Sequence, residues 1–297
     1  GSSDATVEFF ELLHFGRTNG INATTYLRMM AHTAAVNIGV YFGLKGRTYT
    51  TNTACTSSSQ ALGYAYEAIK NGVQTDMVAG GAEELCPSQA TVFDTVLATS
   101  TKNDTPPLTP APFDSQRDGL VVGEGACTFV LEDYAHAEAR GATIWAEVVG
   151  FGTNADGTHV TQPNHETMGV AMELALRSAQ LPASAIGYIN AHGTATDRGD
   201  IAESHATARV IGTQTPISSL KGHMGHTLGA CGALEAWMSI MMLREGWVAP
   251  SLNLQTPDPL CAPLDYVIGS PRALKADYFM SNNFAFGGIN TSLIFKV

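Results

Sequence analysis

The chain of 297 residues is short of positive charge: 16 Lys and Arg stand against 27 Asp and Glu, a formal net charge of -11. That balance counts against nucleic acid and anionic membrane as partners, since both are held through basic surface. Cysteines are few as well. The five present (Cys55, Cys86, Cys127, Cys231 and Cys261) are odd in number and scattered, with no C-x-x-C pair. This argues against a disulfide framework or a paired-cysteine zinc site and for reduced thiols in a cytoplasmic setting. Long apolar runs are lacking too. The most apolar helical segment, "ALEAWMSIMML", has 11 residues and carries Glu235, too short and too charged to span a bilayer. The opening "GSSDATVEFF" has no basic stretch followed by an apolar one, so no signal peptide is read there.

What the chain does have is 44% apolar residues and 30 glycines, the composition of a well-buried globular body with many tight turns. Its length allows one large domain or two ordinary ones, burying roughly 75% of the unfolded surface. The pattern predicts a helix over 22–44, a short strand over 47–53, and a helix after Cys55 that stops at Asn71 and Gly72. A buried strand at 76–84, a Pro/Asp-rich loop at 103–119, a strand at 126–133 and the helix "YAHAEARG" come next. Then follow a strand in "IWAEVVGFGTNADG", a helix over 168–180, a strand over 186–193 and a strand running into a helix from 215. The C-terminus reads as two strands joined by a glycine turn. Alternation of strands and helices indicates an α/β fold.

An internal echo is visible. "TYTTNTACTSSSQALGYAYEAIKNG" and "PISSLKGHMGHTLGACGALEAWMSIMMLREG" share one plan of strand, reactive-type residue at the turn, and small-residue helix stopped by glycine. Cys55 and His226 hold the corresponding places, which suggests two related halves whose helix starts face one another.

A thiol at a strand-to-helix turn sits where unpaired amides and the helix dipole favour negative charge, which can lower its pKa and make it a nucleophile. The plain alternative for Cys55 is a small buried residue needed for packing. His192 in "NAHGTAT" follows a predicted strand, where functional loops gather. His226 in "KGHMGHTLGA" begins a predicted helix, a place that keeps imidazole neutral and able to donate a hydrogen bond. His223 and His226 form H-x-x-H, but the glycine-rich setting provides neither a rigid face nor a third ligand, so no metal is expected. Glu235 inside its apolar helix would be costly unpaired, and Lys221 is the partner proposed for it. In "NNFAFGG", Gly287 and Gly288 permit a turn that aims an amide at a ligand with Phe286 as a moving wall; a plain hairpin turn fits the pattern equally.

Together "TACTSSS", "PFDSQRDGLVVGEGA", "NAHGTATDRGD", "SSLKGHMGHTLGACGALE" and "NNFAFGGINTSLIF" closely resemble the elongating β-ketoacyl-acyl-carrier-protein synthases, thiolase-fold condensing enzymes of fatty-acid and polyketide synthesis. The blocks occur in family order from about residue 45 onward. The resemblance implies a layered αβαβα fold of two related halves, 1–141 with the nucleophile and 142–297 with the two histidines. It implies that Cys55 takes an acyl chain from the carrier, and that His192 and His226 bind the malonyl thioester and stabilise the enolate left by CO2. Lys221 would support the His226 side electrostatically. The amides of Cys55 and Phe286 would form the oxyanion hole, and Phe286 would gate the second substrate. Thr194 and Thr196 would bind the pantetheine arm, and Asp156, His159 and Thr161 would belong to a mobile loop beside the gate.

No cofactor is implied beyond the phosphopantetheine that the acyl carrier protein brings. The implied partners are that carrier and either a second copy or a chain-length subunit, with Thr53 near the partner; a silent partner subunit would typically lack Cys55. Family members begin about a hundred residues earlier, so an N-terminal portion of the fold is expected to be missing here and to be supplied by another polypeptide or left unresolved. Thr18, Asn19 and Gly20 stand where fatty-acid members often carry a basic carrier-docking pair, which leaves Arg17, Arg28 or a partner subunit for that task. "CTSSSQ" and "EELCPSQATVFD" differ from housekeeping fatty-acid enzymes and leave room for a polyketide or polyene pathway. Phe93 is a candidate wall of the acyl pocket.

Overall fold

The computed structural model describes residues 3–297. It begins with three helices, α1 (Ser3–Phe15), α2 (Ala23–Met29) and α3 (Thr33–Phe42). The helix expected over 22–44 is thus two. Asn22 caps α2 by accepting the amides of Thr24 and Thr25, and Met30 turns extended at its end. Thr33 Oγ1 then donates to the Met30 carbonyl at 2.7 Å, which satisfies the freed acceptor and starts α3.

Residues 47–53 form no strand. The segment bonds to the start of the next helix, α4 (Ser57–Lys70). Thr51 Oγ1 donates to Ser57 O at 2.8 Å, Thr53 N–H to Ser57 Oγ at 2.9 Å, and Thr53 Oγ1 to Gln60 Oε1 at 2.9 Å. After α4 come β1 (Asp76–Glu83), α5 (Pro87–Thr95), β2 (Gly125–Glu132) and α6 (Tyr134–Ala139). Strands β1 and β2 pair antiparallel from Asp76 opposite Glu132 to Glu83 opposite Gly125.

The chain continues through β3 (Glu147–Ala155), α7 (His165–Ala179), β4 (Tyr188–Asn190), α8 (Asp197–Val210), β5 (Pro216–Ser218), α9 (Lys221–Met224) and α10 (Cys231–Arg244). It closes with β6 (Trp247–Val248), β7 (Asp265–Tyr266), β8 (Arg272–Ala273), β9 (Tyr278–Ala285) and β10 (Ile289–Lys296). One six-stranded sheet has the order β3-β10-β9-β4-β5-β7. It is antiparallel from β3 to β9 and parallel from β9 to β7. The strand expected over 186–193 ends early because Glu203 takes the amides of His192 and Gly193, at 2.8 and 2.7 Å, that a longer ladder would need.

Side chains alternate across this sheet with the period of two that a pleated strand imposes. Tyr188, Phe279, Leu293 and Phe295 pack with Leu62, Ala65, Ala236 and Ile240 of α4 and α10. Ile189, Met280 and Ile294 pack on the other face with Met168, Met172 and Ala206 of α7 and α8. Gly63 lets α4 lie close, since a Cβ there would collide with the Phe151 ring. The layers run β1–β2, then α4 with α10, then the large sheet, then α7 with α8. These are four of the five layers expected; among the described residues no packed helical layer covers the outer face of β1–β2. Helix α3 buries none of its side chains, and Val40, Tyr41 and Phe42 are exposed.

The internal echo is present, in a different register. A short 3-10 turn, Ala54–Thr56, leads into α4, and a matching turn, Leu228–Ala230, leads into α10; both helices have 14 residues. Each turn opens on a left-handed non-glycine residue, Ala54 at φ 49° and Leu228 at φ 45°. Cys55 therefore corresponds to Gly229, and His226 lies three residues upstream of that place.

Candidate active site

The two turns bring their contents together. Ala54 holds a sparsely populated conformation that places Cys55 just ahead of α4, buried at 5% exposure on the wall of a cavity of about 640 Å³. His226 is fixed by its backbone to the "GLVVGEG" segment: its N–H donates to Val121 O at 2.7 Å and its carbonyl accepts from Gly123 N–H at 2.9 Å. Its Nε2 lies 3.0 Å from Cys55 Sγ. His192, on the loop after β4, meets His226 edge to face with ring centroids 5.2 Å apart. All three residues line the same cavity.

Behind His192 stands a buried ion pair. Lys221 Nζ bonds to Glu235 Oε1, both side chains being at most 1% exposed, and the same ammonium lies 3.3 Å from His192 Nδ1. Burial is the largest influence on Lys221 and works against its charge, but the attraction and hydrogen bond of Glu235, joined by Cys231 and Glu203, together hold the ammonium protonated. Burial, and then the Lys221 charge, pulls both histidines well below the ordinary imidazole range. They are neutral near pH 7.

Two expectations need correction here. His226 lies in the loop between α9 and the Leu228–Ala230 turn, not at a helix start, so its neutrality comes from burial and Lys221. The Cys55 thiol is not lowered. Burial pushes it up to about 11, and the opposing pull of Lys221 is smaller. At rest the site holds a neutral thiol beside a neutral imidazole.

Thr194 and Thr196 line the cavity with their hydroxyls 2.9 Å apart. Arg117 clamps their loop by donating to Thr196 O at 3.3 Å and Asp197 O at 2.9 Å. Phe286 follows β9 and packs on Phe93 with centroids 5.4 Å apart. Its two glycines both take positive φ, 88° at Gly287 and 71° at Gly288, and their amides are tied to Val160 O and Ala285 O at 2.8 and 3.0 Å. Asp156 also lines the cavity; its Oδ1 accepts from Thr167 Oγ1 and, at 2.7 Å, from Asn290 Nδ2. Thr161 lines it too, whereas His159 is exposed and outside the lining, its Nδ1 accepting from Thr161 N–H at 3.1 Å. Phe93, Val96, Leu97, Ala98 and Leu120 give part of the lining an apolar character, and Thr194, Thr196, Asp197 and Arg198 give another part a polar one.

His223 hydrogen-bonds Pro250 O at 2.9 Å, so H-x-x-H does not act as a pair. The ligand-type atoms of Cys55, His192 and His226 do lie within 4.8 Å of one another, a spacing that could seat a soft cation. Arg17 and Arg28 are engaged at the surface with Glu11 and Glu8, at 3.3 and 3.0 Å. Two residues escape the sequence reading. Glu203, 1% exposed, anchors the backbone of His192 and Gly193, and Asn283 touches the ion pair from β9. Glu203 could have been found as Glu235 was, as a carboxylate among the alanines of a helix.

A buried cysteine and two neutral histidines meet at the junction of two similar turns on a layered α/β fold. The profile described as "Beta-ketoacyl synthase, N-terminal domain" matches residues 10–137, and "Beta-ketoacyl synthase, C-terminal domain" matches 145–255. A β-ketoacyl synthase crystal structure from Burkholderia phymatum is 61% identical with a TM-score of 0.98, covering 100% of this chain and 72% of that one. The ishigamide ketosynthase/chain length factor structure is 30% identical with a TM-score of 0.92 over 99% of this chain and 72% of that one. The 3-oxoacyl-acyl-carrier-protein synthase 2 of Vibrio cholerae is 43% identical over 270 residues, 88% of this chain and 65% of that protein. The chain belongs to the β-ketoacyl synthase family and has its thiolase-like fold. It spans just under two thirds of the length of that Vibrio relative.

Proposed function

We propose that the protein is a 3-oxoacyl-acyl-carrier-protein synthase, joining an acyl thioester to malonyl-carrier with release of CO2. The observation that carries this is the 3.0 Å contact between Cys55 Sγ and His226 Nε2 inside a cavity that His192 also lines. In the first step Cys55 attacks the acyl thioester. Its proton passes to His226 Nε2 as the new C–S bond forms, and then to the departing pantetheine thiolate. The raised thiol pKa makes this coupled transfer necessary, because little free thiolate exists near neutrality. In the second step the malonyl C–CO2 bond breaks and its electron pair flows into the thioester carbonyl. The Nε2–H of neutral His192 donates the hydrogen bond that stabilises that enolate, at roughly 3–4 kcal/mol per donor in a water-poor site. The enolate carbon attacks the acyl–Cys55 carbonyl, and collapse of the adduct expels the Cys55 sulfur as a thiolate, which takes a proton from solvent.

Phe286 and the Cys55 amide serve as oxyanion hole and gate in this reading, and Thr194 and Thr196 take the pantetheine arm. No cofactor of the protein's own is needed. The carrier is the partner substrate, and the two halves meet near Gly141. The exposed Val40, Tyr41 and Phe42 fit an assembly with a second subunit. That subunit is a second copy or, since the ishigamide structure is a ketosynthase with its chain length factor, a chain-length partner. No helix among the described residues is long and apolar enough to cross a membrane; the net charge of -11 and the scattered thiols support a cytoplasmic place.

The test is condensation and malonyl-carrier decarboxylation by wild type and Cys55→Ala. Loss of condensation with continued CO2 release supports the assignment; unchanged condensation in the variant refutes it.

A further inference from the structure

Asn283 lies in β9, 1% exposed, on the sheet face toward α4 and α10. Ser59 Oγ donates to its Oδ1, and its Nδ2 donates to Glu235 Oε2 at 2.8 Å. The same Nδ2 lies 3.4 Å from His192 Nδ1 and 3.5 Å from Cys231 Sγ. Glu235 fixes the amide's orientation, because turning it over would set Oδ1 against a carboxylate oxygen. A Cβ on the neighbouring Gly232 would run into Ser59 Oγ and come within 2.7 Å of Asn283 Oδ1, so the packing leaves the amide little freedom.

His192 Nδ1 therefore faces two donors, the Lys221 ammonium at 3.3 Å and the Asn283 amide at 3.4 Å. A ring nitrogen between two donors carries the lone pair, which puts the proton on Nε2. We propose that Asn283 is a positioning residue: it holds His192 in the Nε2–H tautomer and keeps Glu235 engaged, so that malonyl decarboxylation depends on it while acyl loading of Cys55 does not. Lys221 alone does not do this. With Asn283 gone, Glu235 Oε2 keeps only the Asn190 amide at 3.5 Å, and this under-satisfied carboxylate draws the ammonium toward itself and away from Nδ1. Loading needs His226 at Cys55, and Asn283 has no hydrogen bond to His226.

The inference rests on the condensing reading above, and its test separates the two. Asn283→Ala and Asn283→Asp are compared with wild type in acyl loading of Cys55, in CO2 release from malonyl-carrier, and by ¹⁵N imidazole spectra of His192. The aspartate offers an acceptor to Nδ1 and inverts the tautomer. A wrong tautomer in a serine-protease triad costs about 10⁴-fold; with Lys221 still present, CO2 release is expected to fall by about 10²-fold here, with loading kept within about 3-fold. The wild-type spectrum should show Nε2 protonated, and Asn283→Asp should show Nδ1 protonated. Equal loss of both half-reactions, loss of neither, or a wild-type His192 protonated at Nδ1 overturns the proposal. A wild type that neither loads nor releases CO2 overturns the condensing reading instead, and the spectra then decide the tautomer on their own.

Discussion

Lys221 Nζ sits between Glu235 Oε1, with which it pairs, and His192 Nδ1 at 3.3 Å. One buried cation thus compensates a carboxylate and adds to the burial that keeps the imidazole neutral.

That double role separates stability from chemistry. Lys221→Ala or Glu235→Gln leaves one charged group buried without its partner and should cost about 3–5 kcal/mol of folding stability in a denaturant titration. Replacing both together, Lys221→Met with Glu235→Leu, should recover most of that stability, because apolar packing substitutes well for a buried pair. Decarboxylation should not recover, since His192 has lost the ammonium.

Cys55 is expected to react as an ordinary-to-weak thiol until a thioester arrives. With its pKa pushed up to about 11 by burial, its alkylation by iodoacetamide should rise close to tenfold per pH unit from 7 to 10, without a plateau. The reaction is followed by peptide mapping, because Cys86 and Cys127 are also partly exposed. A plateau between pH 6 and 8 would instead reveal a preformed thiolate–imidazolium pair.

The three central side chains were legible because each breaks a local rule. Cys55 and the two histidines stand in small-residue turns rather than in the apolar body of an element, and Glu235 is a lone charge in an apolar helix. Lys221 followed from the need to neutralise that charge. Asn283 was not legible, since its side-chain partners come from α4 and α10 and from the loop after β4, and no spacing along the chain encodes such a convergence. Residues 47–53 have strand-type composition yet bond to α4, a tertiary outcome that β-propensity does not report. His159 shared a motif with Asp156 but turned outward with its loop.

Glu203 gives the fold a pH dependence of unusual sign. Burial raises its carboxyl to about 8 despite the two amides it accepts, so between pH 4.5 and 8 the folded chain holds a proton that the unfolded chain has released. Stability then falls as pH rises through that window, by at most about 1.4 kcal/mol per pH unit for one proton. Asp200, raised to about 6, acts with the same sign only below its own value. The histidines, lowered in the fold, act with the opposite sign below about 6.5. Burial also raises the Cys55, Cys127, Cys231 and Cys261 thiols, which adds a smaller fall of the same sign toward pH 8, so the Glu203 part is read as the difference between wild type and Glu203→Gln from pH 7 to 8. Urea titrations across that interval should show a falling stability in wild type and a much shallower fall in Glu203→Gln.

Sulfur takes the acyl group, and imidazole governs the loss of CO2. The most direct measurement is intact-protein mass spectrometry of wild type, Cys55→Ala and His192→Ala after incubation with acylated carrier, paired with CO2 release from malonyl-carrier. Wild type and His192→Ala should gain the mass of the acyl chain, and Cys55→Ala should not, while CO2 release should collapse only in His192→Ala. An acyl adduct that persists in Cys55→Ala, or undiminished CO2 release in His192→Ala, would contradict that division of labour.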